Sequence, residues 1–150
     1  MNEIELRAFA KINLGLDVVG ERPDGYHEVR MVMQNVRIFD RIYMEKISGE
    51  DFRLETNLYY LPKDANNLMI RAARLMKETY GLQGGLSMKL DKHIPVAAGM
   101  AGGSSDAAAV LFGINRMYDL RLGHDSWLVL LNGGGASGHS ALWEQSYTSK

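Results

Sequence analysis

The N-terminal segment IELRAFA, residues 4–10, alternates: Ile4, Leu6 and Ala8 point one way, Glu5 and Arg7 the other. A period of two predicts a half-buried β-strand. Two further strand-like runs follow, VRMVMQNVRI and RIYMEKI, with the turn signal RPDG ahead of them at residues 22–25. Proline presets φ for a turn and glycine accepts a positive one. FRLET, residues 52–56, alternates again. The period then lengthens. In NLMIRAARLMKETY, residues 67–80, the side chains of Leu68, Ala72, Leu75 and Met76 recur at helical spacing. Pro62, Asp64 and Asn66 supply start signals, and Gly81 supplies the stop. Leu86, Met88 and Leu90 alternate with Ser87, Lys89 and Asp91 as another short strand. After a glycine-rich stretch, SDAAAVLFGINRMYDL reads as a second helix with Ser104 or Ser105 near its N-cap. Strands first and helices interleaved later predict an α+β domain: a mixed or antiparallel sheet with helices on one side.

Beyond Arg121 the texture changes. One apolar knot, Trp127 to Leu131, precedes a glycine-serine stretch and a polar end. We expect a domain over residues 1–121 and a tail over 122–150 containing a weak strand or helical turn and then flexible chain.

Bulk properties narrow the function. A chain of 150 residues with 46% hydrophobic and 23% charged side chains is ordinary for one globular domain. The formal net charge of −1 gives no electrostatic case for nucleic acid or a membrane surface as partner. No run approaches the ~20 apolar residues of a membrane span. The first residues carry acids and no continuous apolar segment, so they do not read as a signal peptide. Cysteine is absent and the four histidines lack ligand spacing, so no metal site is expected from either. A cytoplasmic location is the default expectation. Met31, Met33, Met69, Met76 and Met88 fall at core periodicity and need no cofactor to explain them.

The candidate chemistry lies in PVAAGMAGGSSDAA, residues 95–108. Gly99, Gly102 and Gly103 let the main chain approach an anion with no Cβ in the way. A helix N-terminus behind them supplies orphan N–H groups and a favourable dipole. The Ser104 and Ser105 hydroxyls add hydrogen bonds or reach a magnesium ion held by phosphates. A Walker loop would need Gly-Lys-Ser/Thr at the helix start, and here Gly103 leads into Ser104 and Ser105. A dinucleotide fingerprint would need a parallel βαβ unit, which the order of elements argues against. Asp106 could ligate magnesium, although an acid in a first helical turn is favourable without any metal.

With its flanking strand and helix, PVAAGMAGGSSDAAA resembles the second motif of the GHMP kinases, which wrap ATP phosphates with such a loop. AFAKINLGLDVVGERPDGYHEV, residues 8–29, resembles the family's first motif. AKINLGL followed by RPDGYH is similar to one branch, which phosphorylates a small cytidyl substrate, and NNLMIRAARLM resembles a helix of that branch. The resemblance implies an ATP-dependent, magnesium-assisted kinase whose phosphate loop comprises Pro95, Gly99, Met100, Ala101, Gly102, Gly103, Ser104 and Ser105. It implies that Lys11 lies beside the acceptor hydroxyl and the transferring phosphoryl group. Asn13, two residues on and therefore on the same strand face, could hydrogen-bond the substrate. By resemblance Tyr26 stacks on cytosine and His27 bonds its edge, against a plainer reading as turn cover and exposed histidine. Asn67, Leu68 and Lys92 would line the adenosine pocket, although a helix cap and a core leucine explain the first two equally well.

Two departures accompany the resemblance. The family's aspartate in a G-A-D-V-P-like segment has no counterpart here, and the glycine-rich third motif of a second domain is absent. The chain therefore reads as an N-terminal half with an unrelated tail. The rival expectations are a folded fragment that binds nucleotide weakly or self-associates through uncovered apolar surface, and another branch of the same family.

Overall fold

The computed structural model describes residues 1–23, 25, 27–123, 126 and 130, together with the backbone of residues 145–149. Among the described residues seven elements run in the order β1 (Glu3–Glu21), β2 (His27–Ile47), β3 (Phe52–Thr56), α1 (Leu68–Tyr80), β4 (Gly85–Asp91), α2 (Gly102–Met117) and β5 (Gln145–Ser149). The sheet order is β3-β4-β2-β1-β5. β3 and β4 are parallel, and the other pairs are antiparallel. The sheet is mixed, one of the two arrangements expected from the order of elements.

The inward parity of the strands assembles the core. Ile4, Leu6 and Ala8 of β1, Ile42 and Met44 of β2, and Leu86, Met88 and Leu90 of β4 are all buried against the two helices. α2 comes closest at Gly113, where a Cβ would stand 2.7 Å from the Met44 sulfur and 2.9 Å from Leu6 Cδ1. That glycine exists to let the helix settle on the sheet. α1 begins at its Asn67 cap and ends at Gly81, whose φ of 61° closes the helix in the left-handed region. Of the four expected positions Ala72 and Met76 are buried, Leu68 and Leu75 pack against the core only partly buried, and Met69, Ile70 and Ala73 are buried as well. Two packing partners, the sheet and α2, account for a buried face of that width.

Four expectations are corrected. The runs read as separate strands are one 21-residue strand, β2, which forms a long hairpin with the 19 residues of β1. Its distal half extends past the helices, so Met31 is exposed rather than a core residue. α2 starts at Gly102, not beside Ser104 or Ser105, and its N-cap is Ala101 with no side-chain cap. Residues 145–149, read as tail, pair antiparallel with residues 4–8 and cover the outer edge of β1. An unpaired edge of that length is a strong template for a further strand. The Trp127 to Leu131 knot lies mostly outside the described residues.

Candidate functional site

Between β4 and α2 the chain turns through left-handed conformations at Ala97 (φ 59°), Gly99 (φ 72°) and Ala101 (φ 55°). Left-handed residues interleaved with others curl successive peptide groups to one side, a geometry suited to anions. Two of these three are alanines, which occupy that region at a cost of about 1–3 kcal/mol each. The first rung of the helix ladder is Ser105 N–H to the Ala101 carbonyl at 2.9 Å, so the Gly102 and Gly103 amides precede it. Both glycines line a cavity of about 350 Å³ whose facing wall includes Pro62, Asn67 and Leu68.

The cavity lining contains most of the residues expected there. Pro95, Gly99, Met100, Ala101, Gly102, Gly103 and Ser104 line one side, and Asn67, Leu68 and Lys92 also contribute. Asn67 does two things at once: its Oδ1 accepts from Met69 N–H at 2.9 Å and its Nδ2 donates to the Pro62 carbonyl at 2.9 Å. The cap and the cavity wall are thus the same side chain. Ser105 turns away from the cavity, and its hydroxyl donates to the Phe9 carbonyl at 2.8 Å. Lys11 sits at the edge of the loop, its backbone N–H donating to the Met100 carbonyl at 3.1 Å. Its ammonium meets the Met33 thioether at 3.2 Å, a weak acceptor, and partial burial lowers its pKa. Asn13 is exposed on the strand face of Lys11, with Met33 as its cross-strand partner. His27 is exposed at the start of β2, opposite Glu21. Neither reaches the cavity, and Tyr26 lies outside the described residues.

Beneath the loop lies a charged cluster that the sequence did not announce. Asp40, Lys92 and Asp106 are 0%, 8% and 3% exposed. The Lys92 ammonium donates to Asp40 Oδ2 and, at 2.8 Å, to Asp106 Oδ2. Asp40 Oδ1 accepts the backbone N–H groups of His93 (2.6 Å) and Ile94 (2.8 Å), the residues that lead into the loop. Asp106 Oδ1 is buried with no hydrogen-bond partner. Burial foremost pushes the Asp106 carboxyl up to about 8, against the pull of Lys92. Burial by itself would lower Lys92, but Asp106 and Asp40 outweigh it and hold the ammonium above its usual value. The signal for Asp40 was its parity: it shares the inward face of β2 with Ile42 and Met44. Because α2 starts at Gly102, Asp106 lies beyond the first turn, and the helix dipole does not account for it. Among the described residues no cluster of three metal-ligating side chains occurs.

This strand, left-handed loop and helix have counterparts in known proteins. Residues 67–141 match the GHMP kinases N terminal domain, and the chain belongs to that family. It is 57% identical over 122 residues to the 4-diphosphocytidyl-2-C-methyl-D-erythritol kinase of Lachnospira eligens, covering 81% of this chain and 42% of that one. It is 51% identical over 118 residues to the enzyme of that name from Lachnoclostridium phytofermentans, covering 79% of this chain and 40% of the relative. A crystal structure of 4-(cytidine 5'-diphospho)-2C-methyl-D-erythritol kinase superposes with a TM-score of 0.77 at 35% identity, covering 96% of this chain and 51% of that chain. A homoserine kinase, 18% identical with a TM-score of 0.67, shares the fold. The chain thus spans about two fifths of the length of the curated relatives it matches.

Proposed function

We propose that this chain is the nucleotide-holding part of an ATP-dependent kinase that phosphorylates the 2-hydroxyl of 4-diphosphocytidyl-2-C-methyl-D-erythritol. The observation that carries the reading is the left-handed loop, which delivers the Gly102 and Gly103 amides to a cavity walled by Asn67 and Leu68. Peptide dipoles fixed in advance stabilise phosphate charge without reorganising when it shifts. Magnesium suits the site as a passenger on the phosphates, because it keeps several waters and needs few protein oxygens. Ser104 lines the cavity and is the hydroxyl best placed to meet it. Lys11, at the loop edge with a thioether as its partner, is available to neutralise a transferring phosphoryl group. His27, at the start of β2, and Tyr26 beside it in sequence are the residues that would read cytosine, with Asn13 as a further substrate contact.

A second reading is nucleotide binding without turnover, favoured by the lack of an aspartate in a G-A-D-V-P-like segment. One experiment separates the two. ADP release is followed with and without the cytidyl substrate, beside direct titration with ATP. Substrate-dependent ADP supports the kinase, and ATP binding with no such release leaves the binding module. Failure to bind ATP defeats both readings.

A further inference from the structure

The two ends of the glycine loop converge on one side chain from another strand. Asp40 stands on the inward face of β2, opposite Ala8 of β1 and in parity with Ile42 and Met44, and it is fully buried. Stability alone is a poor reason for it, because well-packed apolar groups often match or exceed a buried ion cluster. What Asp40 does have is a full set of donors. Its Oδ1 accepts the His93 amide at 2.6 Å and the Ile94 amide at 2.8 Å, and its Oδ2 accepts the Lys92 ammonium. One carboxyl group thus holds the three consecutive residues that lead into Pro95.

Two of those residues bear on the far end of the loop. A Cβ at Gly102 would stand 2.8 Å from Lys92 Nζ and 3.0 Å from Ile94 Cγ2, so the backbone that presents the Gly102 amide rests on side chains Asp40 controls. Lys92 also donates to Asp106 Oδ2 at 2.8 Å, four residues further into α2. Between these ends the chain is left-handed at Ala97 and Ala101. Residues other than glycine persist there only where their surroundings over-determine them.

We propose that Asp40 is a positioning residue which presets the glycine loop in its phosphate-binding form, fixing the entrance through the His93 and Ile94 amides and the Gly102 end through Lys92 and Ile94. The inference rests on the proposed nucleotide site. Asp40 stands behind Lys92 and Asp106, which line the cavity, and acts through them. A loop held ready in advance binds without an ordering cost. A loop that adopts the binding form only about a tenth of the time loses about tenfold in apparent affinity.

Two variants test this. Asp40→Ala removes both arms and leaves Lys92 to Asp106, whereas Asp40→Asn keeps an oxygen for the two amides but turns an NH₂ towards the Lys92 ammonium. Both are titrated with ATP and with adenosine beside the wild type. ATP affinity should fall about tenfold in Asp40→Ala and less in Asp40→Asn. Adenosine has no phosphate to meet the loop, and its binding should weaken far less. Unchanged ATP affinity in folded Asp40→Ala would overturn the proposal. Equal losses for ATP and adenosine would do so too, since they mark a general disturbance of the pocket. If neither variant folds, backbone nitrogen relaxation of the ligand-free wild type decides: residues 97–103 should be as rigid as β4, and a loop mobile on the nanosecond timescale would refute the presetting. If the wild type does not bind ATP, the functional reading fails, and the same relaxation measurement still judges Asp40.

Discussion

Gly102→Ala sets two physical accounts of the loop against each other. If Gly102 matters only as a flexible residue, alanine should help, since it is favoured over glycine in helices by up to about 1 kcal/mol. The structure demands the opposite. A Cβ at Gly102 would lie 2.8 Å from the Lys92 ammonium and 3.0 Å from Ile94 Cγ2. Lys92 is the end of a flexible side chain, but two buried carboxylates hold it, and Ile94 is fully buried. Overpacking of this kind costs about 1–3 kcal/mol, and loosening Lys92 from Asp106 deprives a buried acid of its single donor. We expect a net loss of about 1–3 kcal/mol, read as a urea midpoint lowered by roughly 1 M. Gly103→Ala is the matched control, because its nearest contact, Leu68 Cδ1, is 3.6 Å away and leaves room. That variant should be as stable as the wild type or more so. If Gly102→Ala equals or exceeds the wild type in urea, the tight seat between loop and triad is wrong.

The pH dependence of stability has a definite sign. The folded carboxyl of Asp106 is raised from 3.8 to about 8, so its contribution is complete below about pH 4 and is lost as pH rises towards 8. Thermal melts should show the wild type losing up to about 1.4 kcal/mol per pH unit relative to Asp106→Asn across that window. Lys46→Met removes an ammonium that donates to the Met117 carbonyl at 2.8 Å and sits 3.9 Å from the centre of the Tyr118 ring. Losing this C-terminal tie of α2 should cost about 1–2 kcal/mol in denaturant unfolding. Asn67→Ala strips the cap of α1 and should cost about 1 kcal/mol, with weaker ATP binding in the same protein if the cap is also a wall of the nucleotide site. Leu14, Val18 and Val32 on the hairpin are 62%, 59% and 62% exposed. Sedimentation velocity should therefore show concentration-dependent self-association that Val18→Lys with Val32→Lys abolishes.

What was legible in the sequence was local. Alternation gave the inward faces of β1, β3 and β4, and Asn67 and Gly81 bounded α1 because a cap and a left-handed stop act within one turn. The glycine loop was legible for the same reason. What was hidden depended on partners distant in the chain. Asp40 looks like a break between two apolar runs until Lys92, 52 residues on, turns it into the interior of one strand. Ser104 and Ser105 look like caps, and only the left-handed Ala101 shows that the helix has already begun. The pairing of β5 with β1 joins opposite ends of the sequence, and no window on either segment contains it.

The register of β1 against β2 slips between Phe9 and Lys11, and at this slip the strand turns to the loop instead. The Phe9 carbonyl receives Ser105, and the Lys11 amide reaches Met100. The irregularity is therefore a rivet: the lysine-bearing strand and the anion cradle are stitched on both sides of one peptide step and must travel together. Any tilt of the long hairpin about that point would be felt first in the cradle, well before it reached the helices.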